Sequence, residues 1–225
     1  MIPSLVIFDC DGVLVDSEEI ANRTLVEAVK SVGISITYEE CRARFVGGTL
    51  QRVIDTLEEW RGEPLPETWK ADFEAERDSA FRRGLKPIPG VARAIETIRD
   101  SGTPICVASS GSLGKMDLTL GLTGLKNYFD GRIFSASMVA RGKPHPDLFL
   151  HAAEQMGQMP ETAVVVEDSL LGTTAGMAAG MRVLAYAADS DPDALAAAGG
   201  QPFTDMAELP GLLGLSSDVA GTAAE

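Results

Sequence analysis

Strand candidates along this chain are short apolar runs set far apart. They are LVIF at 5–8, ICVA at 105–108, AVVV at 163–166 and RVLA at 182–185, with a weaker one near 132–134. Runs of this length and character suit strands buried in a parallel sheet. Helix-length segments separate the later ones, at 90–100, 113–121, 146–156 and 170–179. Alternation of strand and helix over residues 86–200 predicts an α/β core with a central parallel sheet flanked by helices.

The stretch between the first two runs is different. Residues 17–83 hold no good strand and read as helices at 17–32, 38–45, 49–61 and 67–82. Leu25, Val29 and Val32 keep helical spacing, as do Val53, Ile54 and Leu57. Pro64 and Pro66 part the last two helices, and Pro87, Pro89 and Gly90 mark the return to the sheet. The expected organisation is a discontinuous core, 1–16 and 84–215, with a helical insert at 17–83 joined through linkers near Val13–Ser17 and Arg82–Pro89. Helices that merely cover the sheet are the alternative. An insert of this length, directly after an acidic pair, fits a cap over the strand ends better. Residues 187–199 read as helical, and 216–225, small and polar, as a frayed tail.

What ends the apolar runs carries the chemistry. The first stops at Asp9-Cys10-Asp11-Gly12. In extended chain Asp9 and Asp11 point to one side, at the strand end where open α/β sheets place their sites. Two carboxylates so close raise one pKa or call for a cation; a polar turn is the plainer reading. The second run leads into Ser109-Ser110-Gly111-Ser112, which either presents hydroxyls and N–H groups to an anion or caps a helix. The third ends in Glu167-Asp168-Ser169. Adjacent acids at a buried strand end are costly unless exposed or paired with a cation, and Mg²⁺ accepts one or two carboxylates plus a phosphate. Between these lies Gly142-Lys143-Pro144-His145-Pro146-Asp147, where two prolines hold the lysine stem. Independent turns do not predict that all of these coincide. Mg²⁺ with one lysine would let so acidic a site admit a phosphate dianion.

Composition narrows the partners. Lys plus Arg number 19 against 33 Asp plus Glu, a net charge of −14. Such a surface repels nucleic acid and anionic membranes, so the expected partner is a small molecule. No apolar stretch is long enough to span a bilayer. Cys10, Cys41 and Cys106 form no CxxC spacing, and no secretory h-region is evident, which places the chain in a reducing cytoplasm. Only His145 and His151 are available, and neither has an evident partner for base catalysis. The expected state is a monomer or weak homodimer.

The Asp9-x-Asp11-Gly run, the apolar run into Ser109, Lys143-Pro-x-Pro-Asp and Glu167-Asp168-Ser169 resemble, in content and order, the four signature motifs of the haloacid dehalogenase (HAD) superfamily. FDCDGVLVDSE and GTTAGMAAGM resemble its phosphatase and β-phosphoglucomutase-like branch. The resemblance runs from about Leu5 to Leu213 and implies a Rossmann-like core with a small α-helical cap inserted between the first two motifs. It implies that Asp9 is the nucleophile, forming an aspartyl-phosphate, and that Asp11 protonates the leaving oxygen and then activates water. Ser109, Ser110 and nearby amides would bind the phosphoryl oxygens, and Lys143 would neutralise nucleophile and phosphate. Mg²⁺ would sit on Asp9, Asp168 and the main-chain carbonyl of Asp11, with Glu167 holding a metal-bound water or orienting the ligands.

Within the family, Asp11 argues against carbon–halogen cleavage, which has no comparable use for a general acid. The insert lysines Lys30 and Lys70 lack the motif context for phosphonate hydrolysis. The insert holds no histidine, and Gly47-Gly48-Thr49 is followed by Leu50 rather than arginine, with Arg52 close by. Both features depart from the mutases and favour release of phosphate to water. The expected function is therefore a Mg-dependent phosphatase of a sugar phosphate or phosphorylated sugar acid. A β-phosphoglucomutase-like mutase is the alternative, and an inert binding protein the remote one. Arg44-Phe45-Val46-Gly47-Gly48 resembles caps of phosphatases acting on sugar phosphates or phosphorylated sugar acids, which makes Arg44, Gly47 and Gly48 candidate substrate contacts; Arg44 then either meets a substrate oxygen or carboxylate or lies exposed on its helix.

Overall fold

The computed structural model describes residues 2–129 and 131–215, so the tail expected at 216–225 lies outside the described residues. Six strands form one sheet: β1 (Leu5–Phe8), β2 (Ile105–Ser109), β3 (Ile133–Ser135), β4 (Ala163–Glu167), β5 (Arg182–Tyr186) and β6 (Gln201–Phe203). Their order is β3-β2-β1-β4-β5-β6 and every neighbouring pair is parallel. Strand order reverses beside β1, and such a switch point opens a crevice at the carboxyl ends of the strands.

Side-chain alternation divides the core between the two sheet faces. Val6 and Phe8 join Val107, Val166 and Leu184 on one face, packed by Ile95 and Ile98 of α5 (Val91–Asp100) and Met116 and Leu120 of α6 (Leu113–Leu122). Leu5 and Ile7 join Cys106, Val165 and Val183 on the other, under Phe149 of α8 (Asp147–Gln155) and Ala175 of α9 (Leu170–Ala178). Helix α9 packs on the sheet through bare backbone: a Cβ on Gly176 would stand 2.6 Å from a methyl of Val183.

Residues between β1 and α5 fold as α1 (Glu18–Lys30), α2 (Tyr38–Phe45), α3 (Leu50–Arg61) and α4 (Trp69–Gly84). They hold an apolar cluster of their own, with Leu25, Val29, Phe45, Val53, Leu57, Trp69 and Phe73. Thr37 and Glu40 form a capping box on α2, Thr49 caps α3, and Gly62 at φ 72° closes it in the left-handed conformation. The connectors run side by side: Asp16 N donates to Lys86 O at 2.9 Å and Ile88 N to Leu14 O at 3.0 Å. Helix α4 continues to Gly84, so the second connector begins beyond Arg82.

The helix expected at 187–199 is shorter, α10 (Pro192–Ala197). Asp191 accepts N–H groups from Asp193 and Ala194, and Pro192 takes the first helical position, so the helix cannot begin earlier. Ala187 instead extends the sheet, its N–H donating to Phe203 O at 2.8 Å. Strand β6 and the short helices α7 (Lys126–Phe129) and α11 (Leu209–Leu212) lie outside the sequence-based expectations. Each is three or four residues long, below what periodicity resolves.

Candidate active site

Asp9 stands one residue beyond β1, held by a hydrogen bond from its N–H to Val166 O at 2.9 Å. Its Oδ1 accepts from Lys143 Nζ at 2.6 Å, and the same ammonium donates to Glu167 Oε1 at 2.5 Å. The side chains of Lys143 and Glu167 are 1% and 0% exposed, so a cation is sealed between two carboxylates behind the strand ends. The Phe149 ring centroid lies 4.9 Å from Nζ. Burial pushes the Asp9 carboxyl up to about 7; Lys143 opposes the shift, while Glu167 and Asp11 add to it. Burial alone would lower the Lys143 pKa, but Asp9 and Glu167 outweigh it and hold the ammonium above its ordinary value.

Glu167 has both oxygens occupied. Oε2 accepts from the N–H groups of Asp168 and Ser169 and from Ser169 Oγ, each at 2.9 Å. A Cβ on Gly172 would meet its carboxylate at 1.8 Å, so α9 must offer a glycine there. Glu167 thus orients Lys143 and the turn that carries Asp168.

Asp11 is pinned from two sides. Ser17 Oγ donates to Oδ1 at 2.5 Å and Lys115 Nζ to Oδ2 at 2.8 Å. Burial would raise its pKa, but the charge and hydrogen bond of Lys115, the Ser17 hydroxyl and the Arg77 charge outweigh it, and the carboxylate sits below its usual range. The next residue, Gly12, has φ 72°, and a Cβ there would fall 2.0 Å from Asp168 Oδ2. That glycine is what lets the β4 acid approach the β1 turn.

Asp168 is the acid that faces the cavity without a protein donor. It is buried, its carboxylate has no hydrogen-bond donor among the described residues, and burial, Glu18, Glu167 and Asp9 push its pKa well above the ordinary value. Among the described residues no three His, Cys, Asp or Glu side chains form a metal cluster. Two carboxylates and a main-chain carbonyl, all hard oxygen donors, nonetheless match Mg²⁺, which keeps several waters and binds through one or two carboxylates and substrate phosphate. An acid with no donor, facing like charges, is the feature such a cation would complete.

Ser109 ends β2, buried, with Oγ accepting from Gly111 N at 3.2 Å. The Ser110 hydroxyl, expected on phosphate, donates instead to Gly47 O of the helical insert at 2.8 Å. Only one side of that serine was legible, because the insert carbonyl reaches it from 63 residues away. Ser112 caps α6 by accepting from Lys115 N at 3.3 Å, which sets Lys115 in the first turn above Asp11.

Asp9, Asp11, Ser109, Ser110 and Asp168 line one cavity with Gly47 and Gly48. Its volume, open mouth included, is about 760 Å³, within the range of small-ligand sites. Lys143 lies behind Asp9 rather than on the wall. Gly47, at φ 76°, is where the insert touches the core: a Cβ there would stand 2.5 Å from Ser169 Oγ. Arg44 is not part of this cavity. Its guanidinium lies 5.0 Å from the Trp60 ring centroid, on a separate groove with Ile34 and Ile36, because its place on α2 turns it away from the strand ends. Arg52 lies beside Gly48, within 3.5 Å of where its Cβ would be, and is exposed. His151 packs edge-on to Phe134, and neither histidine lines the cavity.

Sequence reasoning missed Ser17, Glu18, Arg77 and Lys115, all of which line the cavity. For Lys115 a signal existed: Ser112 three residues earlier marks the helix start that puts it in the first turn. Glu18, in the first turn of α1, is pushed up to about 7, by burial first and then by Asp11, with Arg42 opposing.

Known proteins resemble this chain in sequence and fold. The family model for haloacid dehalogenase-like hydrolases matches residues 6–186. The chain is 35% identical over 208 residues to the 6-phosphogluconate phosphatase of Escherichia coli K12, covering 92% of this chain and 93% of that protein. It is 31% identical over 192 residues to hexitol phosphatase B of the same organism, covering 83% and 86%. A HAD family hydrolase from Deinococcus radiodurans, solved with bound phosphate and sodium, superposes with a TM-score of 0.75 at 32% identity, over 95% of this chain and 97% of that one. By this match and these identities the protein belongs to the haloacid dehalogenase-like hydrolases.

Proposed function

We propose that the protein is a Mg²⁺-dependent phosphatase that hydrolyses a small phosphomonoester, a sugar phosphate or phosphorylated sugar acid, through an aspartyl-phosphate on Asp9. The observation that carries this reading is the meeting of Asp9, Asp11, Ser109 and Asp168 around one cavity, with Lys143 bonded to Asp9 from behind. The phosphatase relatives support the substrate class.

Phosphoryl transfer needs positioning and charge stabilisation more than covalent assistance. Lys143 keeps Asp9 oriented by its 2.6 Å hydrogen bond and offsets the charge that gathers there. Asp9 attacks phosphorus, Asp11 gives a proton to the departing oxygen, and Asp11 then takes one from the water that attacks the aspartyl-phosphate. The first step needs Asp11 as the carboxylic acid, and the attacking water returns the proton it gives; the contacts of Ser17 and Lys115 favour the carboxylate left between the two steps, the form that accepts that proton. Ser109 Oγ and the amides after β2 receive the phosphoryl oxygens. Bound by Asp9, Asp168 and the Asp11 carbonyl, Mg²⁺ would supply charge neutralisation between nucleophile and phosphate.

The helical insert serves as a cap that opens to admit substrate and closes to exclude water-borne competitors. The Ser110–Gly47 bond and an Arg42 guanidinium donating to Asp189 O at 2.7 Å are the contacts such opening would break. One chain supplies every group of the site, so a monomer or weak homodimer suffices. Three buried, unpaired cysteines fit a reducing cytoplasm, and among the described residues no helix is long and apolar enough to cross a membrane.

The test is phosphate release from p-nitrophenyl phosphate and from a panel of sugar phosphates, with Mg²⁺ and with a chelator. Release that requires Mg²⁺ is expected. Conversion of β-glucose 1-phosphate to glucose 6-phosphate with a bisphosphate activator, without equivalent phosphate release, would replace this reading by a mutase.

A further inference from the structure

The insert contributes a single basic side chain to the cavity lining among the described residues, Arg77 of α4. It is 8% exposed, so its charge is almost fully withdrawn from water. Nε and Nη2 both donate to one oxygen of Asp78, at 3.1 and 2.8 Å. The guanidinium stands over two rings, 5.5 Å from the Phe73 centroid and 5.9 Å from that of Phe81. Its Nη1 has no hydrogen-bond acceptor among the described residues. The unused end of the fork is not sealed away, since Arg77 lines the cavity, and a ligand group there can reach it. The other cation on the wall, Lys115, lies 5.9 Å from the centroid of the same Phe81 ring and is already committed to Asp11. The rest of the insert wall is largely apolar, with Leu25, Phe45, Leu50 and Val53, and its acid Glu18 has Arg42 at 3.7 Å.

Resting on the phosphatase reading, we propose that Arg77 is the specificity residue of the insert and receives a second anionic group, a carboxylate, on the leaving group of the substrate. A phosphate at Asp9 is handled by the core. Nothing in the core is free to meet another negative charge, and the insert has this one donor to offer. A planar fork suits a carboxylate. The substrate class is then a phosphorylated sugar acid rather than a phosphorylated polyol or neutral sugar.

The experiment compares 6-phosphogluconate with its carboxamide, which differs only in the charge of the far group. Kd is measured by calorimetry with Mg²⁺ on Asp9→Asn and on Asp9→Asn combined with Arg77→Gln. The acid is expected to bind roughly tenfold or more tighter than the amide, as a charge-assisted hydrogen bond would give, and Arg77→Gln to erase the preference. Equal binding of acid and amide, no binding of either, or a preference that survives Arg77→Gln overturns the proposal. Should Arg77→Gln fail to fold, the acid-to-amide ratio on Asp9→Asn alone decides, equal affinities overturning the proposal. Turnover by the unmodified enzyme reports separately on the phosphatase reading: binding preference without phosphate release from any sugar phosphate sinks that reading and leaves Arg77 as an anion site.

Discussion

The two walls of the cavity are built on different principles. The core wall is dense in charge, and its main groups are individually held: Asp9 by Lys143, Asp11 by Ser17 and Lys115, Glu167 by two amides, a hydroxyl and Lys143. The insert wall is mostly apolar, with Leu25, Phe45, Val53 and Phe73 drawn from the insert's own hydrophobic cluster. Groups that act on a bond need positions fixed to fractions of an ångström. A wall that selects a leaving group needs shape and few directed contacts. The difference teaches that reaction type and substrate choice are separable in this molecule and can be perturbed one at a time.

The largest effect that would break this division is at the nucleophile. Asp9→Asn keeps the shape of the core wall and removes the attacking carboxylate; turnover of p-nitrophenyl phosphate should fall by roughly 10⁴-fold or more. Retention of wild-type turnover would remove Asp9 from the chemistry. Next comes Lys143→Met, which leaves Asp9 and Glu167 buried together without their cation. Loss of one partner from a buried pair costs about 3–5 kcal/mol, so urea unfolding without Mg²⁺ should show a stability loss of that order, along with depressed activity. An unchanged midpoint would mean that Lys143 is not the group that makes the core wall tolerable.

A smaller effect belongs to the seam between the walls. Gly47→Ala places a methyl 2.5 Å from Ser169 Oγ at a residue with φ 76°. The insert must back away, and a several-fold rise in KM with a modest fall in kcat is expected, at a stability cost of about 1 kcal/mol. A fall in kcat alone would place Gly47 with the core machinery instead.

The same contrast explains what could be read from the chain. Asp9, Asp11, Ser109, Lys143, Glu167 and Asp168 stand where apolar runs stop or prolines pin the backbone, so local sequence carries their placement. The strands and the helices of the insert were legible for the same reason, through runs and periodicity. Lys115, Arg77 and Ser17 sit on or beside ordinary helices, where only the packing of α1, α4 and α6 decides which residue turns inward. Arg44 shows the converse: one motif neighbour of Gly47 points at Trp60 rather than at the cavity. Strand β6 escaped because Gln201-Pro202-Phe203 has neither an apolar run nor strand propensity; it exists because Tyr186 and Ala185 offer it an open sheet edge.

The central claim is that phosphate passes through Asp9 before it reaches water. The stereochemical course at phosphorus tests it most directly, using a phosphomonoester made chiral with sulfur and oxygen isotopes and hydrolysed in labelled water. Two successive in-line displacements, first by Asp9 and then by water, give net retention, the result expected here. Net inversion would mean that water attacks the substrate directly and would contradict the account.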